Sequence, residues 1–292
     1  MSVDGRSPGA DEQHLPSSWA GRGGRAWARR ADWHEFAFAS FDAPLLSCAG
    51  VRPGDRVLEV GCGAGATTMA LADAVGPAGH VVALDVSEPL CEQTRSRAKA
   101  AGFTNVDVLA VDAAQYGGGD VPFDHVVSRF GVMFFEEPVA AFANLAGLLA
   151  PGGRGTFAAF RERSRNPWVD VPTRTLAAFL DDPSAVGLEP QGFAFADRER
   201  VERILREAGW PAPRFVEAEV HMTMGGGGGV EPASRQVSGQ LLAASILQRL
   251  STEQRTRALL ALREALGRYV VDGEVRLGAS AWIITTGAPV AG

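Results

Sequence analysis

RVLEVGCGAGATTMALA, Arg56 to Ala72, is the stretch whose reading decides the fold. Its first five residues read as a strand and the run from Ala66 onward as a helix, with glycines at 61, 63 and 65 between them. Glycine permits unusual dihedrals and lets a ligand come close to bare backbone, so this turn is a candidate ligand cradle. Read as G-x-G-x-x-G/A, Gly61, Gly63 and Ala66 fit the dinucleotide fingerprint, and Asp85, about twenty residues on, fits the ribose-binding acid. On these residues alone a nicotinamide cofactor stays open.

Further along, VVALD (81–85), VDVLAV (106–111), FDHVVS (123–128) and GTFAAF (155–160) continue the strand series, with helical patterns between them. That alternation is expected of parallel strands joined by crossover helices, and it predicts a doubly wound α/β core. Ser87 before Glu88 and Pro89 starts a helix, Gly102 stops it, Pro138 opens another, and PGG at 151–153 reads as a stop with a tight turn.

After Phe160 the rhythm breaks. Residues 161–196 are interrupted by prolines and glycines, and DRERVERILREAGW then gives a capped helix with Val201, Ile204, Leu205 and Ala208 on one face. RFVEAEVHMTM (214–224) reads as a strand, and five glycines at 225–229 as a flexible connection. Two helices, about 235–250 and 252–271, are expected next. The second carries Ser251 and Gln254 in capping-box spacing and a stripe of Leu259, Leu262, Leu266 and Tyr269. SAWIITTGA (280–288) closes the series, which totals about seven strands.

The division expected is a disordered tail over 1–18, an N-terminal helical cover over 19–50 and a cofactor-binding core over 51–160. A lid insertion over 161–196, a core helix and strand over 197–224, a helical lid insertion over 225–278, and a last core strand with its tail over 279–292 complete it. The insertions read as a lid because each is too short to bury much surface alone.

With 292 residues, 46% of them hydrophobic, the chain can bury a large core. A formal net charge of -6 argues against a general grip on nucleic acid. The first eighteen residues lack the apolar region of a signal peptide and no later stretch is apolar enough to span a bilayer, so a cytoplasmic protein without a membrane span is expected. Cys48, Cys62 and Cys91 form neither a disulfide framework nor a zinc pattern, and no metal site is expected. The single lysine, Lys99, lies in a charged helical run and reads as a solvated side chain.

From Arg52 to Arg161 the chain resembles the class I S-adenosylmethionine-dependent methyltransferases. The motifs that carry the resemblance occur in order: VLEVGCGAGATT, VVALDVS, VLAVDAAQY, FDHVVSRFGVMFF and LLAPGGRGTFAAF. It is similar to the bacterial small-molecule branch, of the ubiquinone- and menaquinone-biosynthesis type. The resemblance implies a Rossmann-like sheet, mostly parallel with an antiparallel last strand, with N-terminal helices and helical lid insertions. It implies S-adenosylmethionine as cofactor, S-adenosylhomocysteine as product and a small molecule as acceptor.

Position by position, the resemblance implies that backbone at Gly61, Gly63 and Gly65 packs on the cofactor, while Glu59 reaches the methionine ammonium through backbone or a water. Asp85 would accept from the ribose hydroxyls, with Val86 on the adenine, and Asp112 with Ala113 would receive the adenine amino group. Ser128 and Arg129 would face the methionine part. All lie at carboxyl ends of strands, where open α/β sheets bind ligands.

Methyl transfer from a sulfonium is an in-line displacement in which orientation supplies roughly 7–11 kcal/mol, so a general base is not obligatory. His34, in the N-terminal segment, and His221, late in the 214–224 strand, are the candidate bases. Trp33, Trp168, Phe195 and Met222 are the candidate acceptor-pocket residues, and a pocket so lined suits a flat or lipophilic molecule. SRFG stands where an amino-methylating nucleic-acid enzyme would carry an Asn/Asp-Pro-Pro-aromatic motif, so nucleic acid is not expected as a partner. The leading expectation is O- or N-methylation of a small molecule; a nicotinamide-dependent oxidoreductase and a non-catalytic cofactor-binding scaffold are the alternatives.

Overall fold

A computed structural model describes residues 19–182 and 191–288. The expected tail over 1–18 and part of the first insertion, 183–190, lie outside the described residues.

Among the described residues eight strands form one sheet: β1 (Arg56–Val60), β2 (His80–Asp85), β3 (Val106–Ala110), β4 (Phe123–Arg129), β5 (Leu149–Phe160), β6 (Arg214–Met224), β7 (Val270–Val271) and β8 (Glu274–Gly287). Their order is β3-β2-β1-β4-β5-β8-β6, with the short β7 paired to β8. β1 to β5 pair in parallel, whereas β8 runs antiparallel to both β5 and β6. This is the expected doubly wound sheet, with one short strand more than anticipated. Its strand order reverses between β1 and β4, so their carboxyl ends flank the crevice in which such sheets bind ligands. β1, β2 and β4 are buried along almost their whole length, as parallel strands covered on both faces must be.

The crossover helices are α4 (Ala66–Val75), α5 (Glu88–Ala100) and α6 (Pro138–Gly147). Ahead of the sheet come α1 (Arg22–Ala28), α2 (Ala31–Phe38) and α3 (Asp42–Ala49), the last ended by Gly50 at φ 62. α7 (Pro167–Ala177) follows β5, and α8 (Arg198–Glu207) starts at Asp197, whose side chain accepts from the N–H groups of Glu199 and Arg200. α9 (Val230–Ser238), α10 (Leu241–Arg249) and α11 (Thr252–Gly267) fill the second insertion. The capping box at Ser251 and Gln254 is formed on both sides, with Leu262 and Leu266 fully buried beneath it.

Five sequence expectations need correction. The helix anticipated over 252–271 ends at Gly267, which leaves Tyr269 outside it and Val270–Val271 in β7. The helix anticipated over 235–250 is two, α9 and α10, broken where Gly239 lies so close to Arg30 that a Cβ would stand 1.5 Å from its Nη1. The last strand begins at Glu274 rather than 280, because Asp272 and Gly273, at φ 52 and 82, turn the chain from β7 back into β8. PGG at 151–153 does not precede β5 but bulges within it, between the pairs Phe123–Leu149 and His125–Arg154. The five glycines are no loose connector: Gly225–Gly227 form a 3-10 turn, and the Gly225 N–H donates to Gln236 Oε1 at 2.5 Å.

One apolar cluster runs from Phe38, Phe41 and Leu45 of the cover through Leu58, Val126 and Phe157 of the sheet to Val237, Ile246 and Leu262 of the second insertion. α7 packs against α10 and α11, so the two insertions share one layer continuous with the main core.

Candidate functional site

At the carboxyl end of β1 the chain turns through Gly61, Gly63 and Gly65 at φ 73, 55 and 93, values that only glycine adopts without strain. The N–H groups of Gly61 and Cys62 both donate to Leu84 O, and Thr94 Oγ1 donates to Gly63 O at 2.9 Å. Two of the glycines are needed for packing within the protein. A Cβ at 61 would stand 2.8 Å from Gly131 Cα, and one at 65 would stand 2.8 Å from Thr94 Cγ2. Gly63 is different: among the described residues, chain neighbours aside, the one atom within 4 Å of a Cβ built there is Glu35 Oε1, at 3.5 Å.

Asp85 ends β2 and is bound to this loop. Its Oδ2 accepts from Gly63 N–H and its Oδ1 from Ser87 N–H, each at 2.9 Å. Burial raises its pKa while those two backbone donors oppose the rise. A carboxylate offers about four lone-pair sites, so both oxygens can still accept a further hydrogen bond. Val86 is half-buried beside it. Beyond β3, Asp112 Oδ1 accepts from Ala114 N–H at 2.9 Å, and the carbonyl of buried Ala113 accepts from Asn144 Nδ2.

At the end of β4, Ser128 is fully buried and its hydroxyl is used within the fold. It donates to Val60 O at 2.8 Å and accepts from the N–H groups of Gly131 and Val132, which joins the ends of β1 and β4. Arg129 points to the cover. Its Nη1 donates to Asp42 Oδ1 at 2.9 Å and its Nη2 to Glu35 Oε2 at 2.5 Å, while Thr67 Oγ1 adds a bond to Asp42 Oδ1 at 3.1 Å. Glu59 lies within electrostatic reach of this group, with its Oε2 accepting from Thr68 Oγ1 at 2.5 Å. Burial pushes the Glu59 carboxyl up to about 8. Phe130 follows at φ 67, a strained value for a bulky side chain, and stacks on Phe160 at 4.0 Å.

The cover closes over these residues. Trp27, with Ala31, packs on Ala64 of the loop and Leu90 of α5. Gly24 lies so close that a Cβ there would stand 2.4 Å from Ser87 Oγ. Ser87 Oγ and Trp19 Nε1 are both buried without a hydrogen-bond partner. Buried polar atoms of this kind are normally satisfied, and each here lies where the cover meets the strand ends.

Of the two candidate bases, His34 is buried and stacked on Trp27 with ring centroids 3.6 Å apart. Burial, helped by the charge of Arg30, lowers its pKa to about 4, so its ring is neutral at physiological pH. His221 is exposed on β6, and Ser40 Oγ donates to its carbonyl. Trp33 is half-buried under Gln236, whose Nε2 donates to its carbonyl, and Trp168 stands 5.1 Å from Phe160 and 5.8 Å from Phe38. Phe195 instead packs on Phe142 at 5.9 Å in the core, and Met222 is fully buried in β6, so neither side chain presents a surface to a ligand here.

Glu35 and Asp42 join these residues although no quoted motif contains them, and Thr67 and Ser87 lie inside motifs in which other residues were singled out. The available signal was two acids in WHEFAFASFDAP, an otherwise aromatic and small-residue segment where a buried carboxylate needs a partner.

This donor set fits an adenosyl cofactor. Asp85 has acceptor capacity for a vicinal diol, Ser87 Oγ and Trp19 Nε1 are buried polar atoms without a partner, and Glu35 and Asp42 bring two acids to one guanidinium at the end of β4.

The profile of the methyltransferase domain family matches residues 57–153. The aklanonic acid methyltransferase of Streptomyces sp. (strain C5) is 36% identical over 104 residues, 36% of this chain and 47% of that protein. The chain thus spans about half the length of that curated relative. The demethylmenaquinone methyltransferase of Staphylococcus aureus (strain JH9) is 30% identical over 191 residues, 62% of this chain and 76% of that protein. Among solved structures, the YcgJ protein of Bacillus subtilis superposes with a TM-score of 0.56 at 15% identity, covering 87% of this chain and 99% of the other, which is a likeness of fold.

Proposed function

Because the chain belongs to the class I S-adenosylmethionine-dependent methyltransferases, we propose that it transfers the methyl group of S-adenosylmethionine to an O or N atom of a small, lipophilic or aromatic acceptor. The observation that carries the cofactor half of this reading is Asp85, held by Gly63 and Ser87 N–H groups with acceptor capacity left on both oxygens. The acceptor half is supported by the half-buried Trp27 and Trp168, which flank Phe38 where the cover meets the sheet, and by the names of the two relatives, which act on aklanonic acid and demethylmenaquinone.

S-adenosylmethionine supplies an electrophilic methyl group on a positively charged sulfur. The residues of this chain would bind and orient it. Asp85 would accept from the ribose hydroxyls, with Val86 beside the adenine and Asp112 and Ala113 at its amino edge. Gly61, Gly63 and Gly65 would offer backbone without side chains in the way, and Arg129 would hold the cover down through Glu35 and Asp42. Ser128 contributes by fixing the β1 and β4 ends rather than by touching the ligand. The cover helices and the aromatic layer exclude water, which leaves collinear alignment as the main source of acceleration. A neutral His34 could take a proton from the acceptor, and a low pKa makes it a weak base, so it adds little to an alignment-driven reaction.

Thermal unfolding with S-adenosylmethionine, S-adenosylhomocysteine, NAD and NADP in parallel tests the reading. A ligand at about 100 times its dissociation constant adds roughly 2.7 kcal/mol. At about 2–4 °C per kcal/mol the two adenosyl ligands should raise the midpoint by several degrees and the nicotinamides by none. A shift with the nicotinamides alone would overturn it.

A further inference from the structure

Resting on that cofactor reading, we propose that Glu35, carried by the cover helix α2, selects the sulfonium form of the cofactor over the product, whose sulfur is uncharged. The position of Glu35 is the first support. Its Oε1 stands 3.5 Å from where a Cβ on Gly63 would be, and among the described residues, chain neighbours aside, no other atom comes within 4 Å of that point. Gly63 is also the residue whose N–H is held by Asp85. A ligand anchored at Asp85 and extended along the loop toward Arg129 therefore passes beneath this carboxylate.

Charge is the second support. Arg129 is shared by Glu35 and Asp42, and Glu59 lies within electrostatic reach of all three. Glu35 and Asp42 thus share one guanidinium, beside a Glu59 carboxyl that burial keeps protonated, and the Arg129 and Glu35 side chains are only 8% and 13% exposed. Where water is scarce, unbalanced like charge is costly and an entering cation offsets it. Independently, Ser87 Oγ, fully buried and without a partner, lies under Gly24 of the cover in the residue whose N–H holds Asp85.

Glu35 reaches the loop from α2, whose Ala37 and Phe38 belong to the main apolar core, so the fold itself holds this carboxylate over Gly63. After transfer the sulfur is neutral, the attraction to Glu35 is gone, and the product is held less tightly than the substrate cofactor.

Isothermal titration of the full chain and of Glu35→Gln with S-adenosylmethionine, S-adenosylhomocysteine and sinefungin, in which a protonated amine replaces the sulfonium, tests this. In the variant the two cationic ligands should lose affinity by about tenfold, while S-adenosylhomocysteine changes by less than about twofold. Glu35→Asp, which keeps the charge, should recover most of the discrimination, and the ligand-free unfolding midpoint checks that each variant folds. Equal loss for all three ligands would make Glu35 a mere fastener of the cover and overturn the proposal, as would no loss for the cationic pair. If the unmodified chain binds none of the three, the cofactor reading fails first, a result separate from any change in selectivity.

Discussion

Each oxygen of Asp85 holds one backbone N–H, and those two bonds tie the glycine loop to the start of α5. Replacing Asp85 with Ala should weaken S-adenosylmethionine binding by about 1.5–3 kcal/mol, the range for hydrogen bonds to a charged group. Titration calorimetry reads this directly, and unchanged affinity would remove Asp85 from the ribose site. At this scale the sequence was informative about type and less so about direction. Asp85 and Asp112 follow strand ends, where the backbone alone determines which way a side chain can face. Ser128 also follows that rule, yet its hydroxyl turns inward to Val60 O, because the close approach of Gly131 to Gly61 leaves polar backbone groups that need a partner. No local pattern encodes an approach between residues so far apart in the chain. Glu35 and Asp42 were missed for the same reason: their partner, Arg129, is brought to them only by the folded sheet.

Among the elements, the turn after β6 makes the sharpest test. Gly225 is at φ +66 and a Cβ on it would stand 2.3 Å from Ala233 N, whereas Gly102, at φ +77, has nothing within 4 Å of such an atom. Gly102→Ala should cost about 1–2 kcal/mol, the left-handed penalty alone. Gly225→Ala adds overlap with α9 backbone and should cost a further 1–3 kcal/mol or so. Denaturant unfolding of the two variants compares them, and equal losses would mean that the turn yields easily. Five glycines in a row look like a linker in sequence because the hydrogen bond and the packing that order them come from Gln236 and Ala233. By contrast the starts of α8 and α11 were readable to the residue, since their caps at Asp197 and Ser251 are local chemistry, whereas α11 ends at Gly267 where the chain turns into β7. The β7 to β8 hairpin was equally local, but its Asp-Gly signal follows a run, Val270–Val271, too short to read as a strand.

Across the whole molecule, burial of ionisable groups near the site sets how stability responds to pH. The Glu59 carboxyl, ordinarily near 4.5, is pushed up to about 8, so the folded state keeps a proton that the unfolded chain releases. Its contribution is intact below 4.5 and declines as pH rises toward 8, by up to about 1.4 kcal/mol per pH unit. His34 acts in the other sense: lowered from 6.5 to about 4, it costs stability as pH falls through that window. The two slopes oppose each other between 4.5 and 6.5, so the loss from Glu59 should emerge above 6.5. Urea unfolding at several pH values should show that decline, and Glu59→Gln, which still gives Thr68 an acceptor, should flatten it. A variant with the same slope as the parent would mean that Glu59 is already charged in the folded chain.

β8 lies between β5 and β6 although it follows both in the chain. During synthesis on the ribosome, β5 and β6 therefore wait with bare edges until β8 has left the exit tunnel. Two unpaired strands rich in apolar residues are what chaperones bind and what aggregates form from. A nascent chain stalled before Glu274 should be captured by a holdase, and one released beyond Gly287 should escape it. The order of translation thus makes the sheet's closing strand also its quality checkpoint.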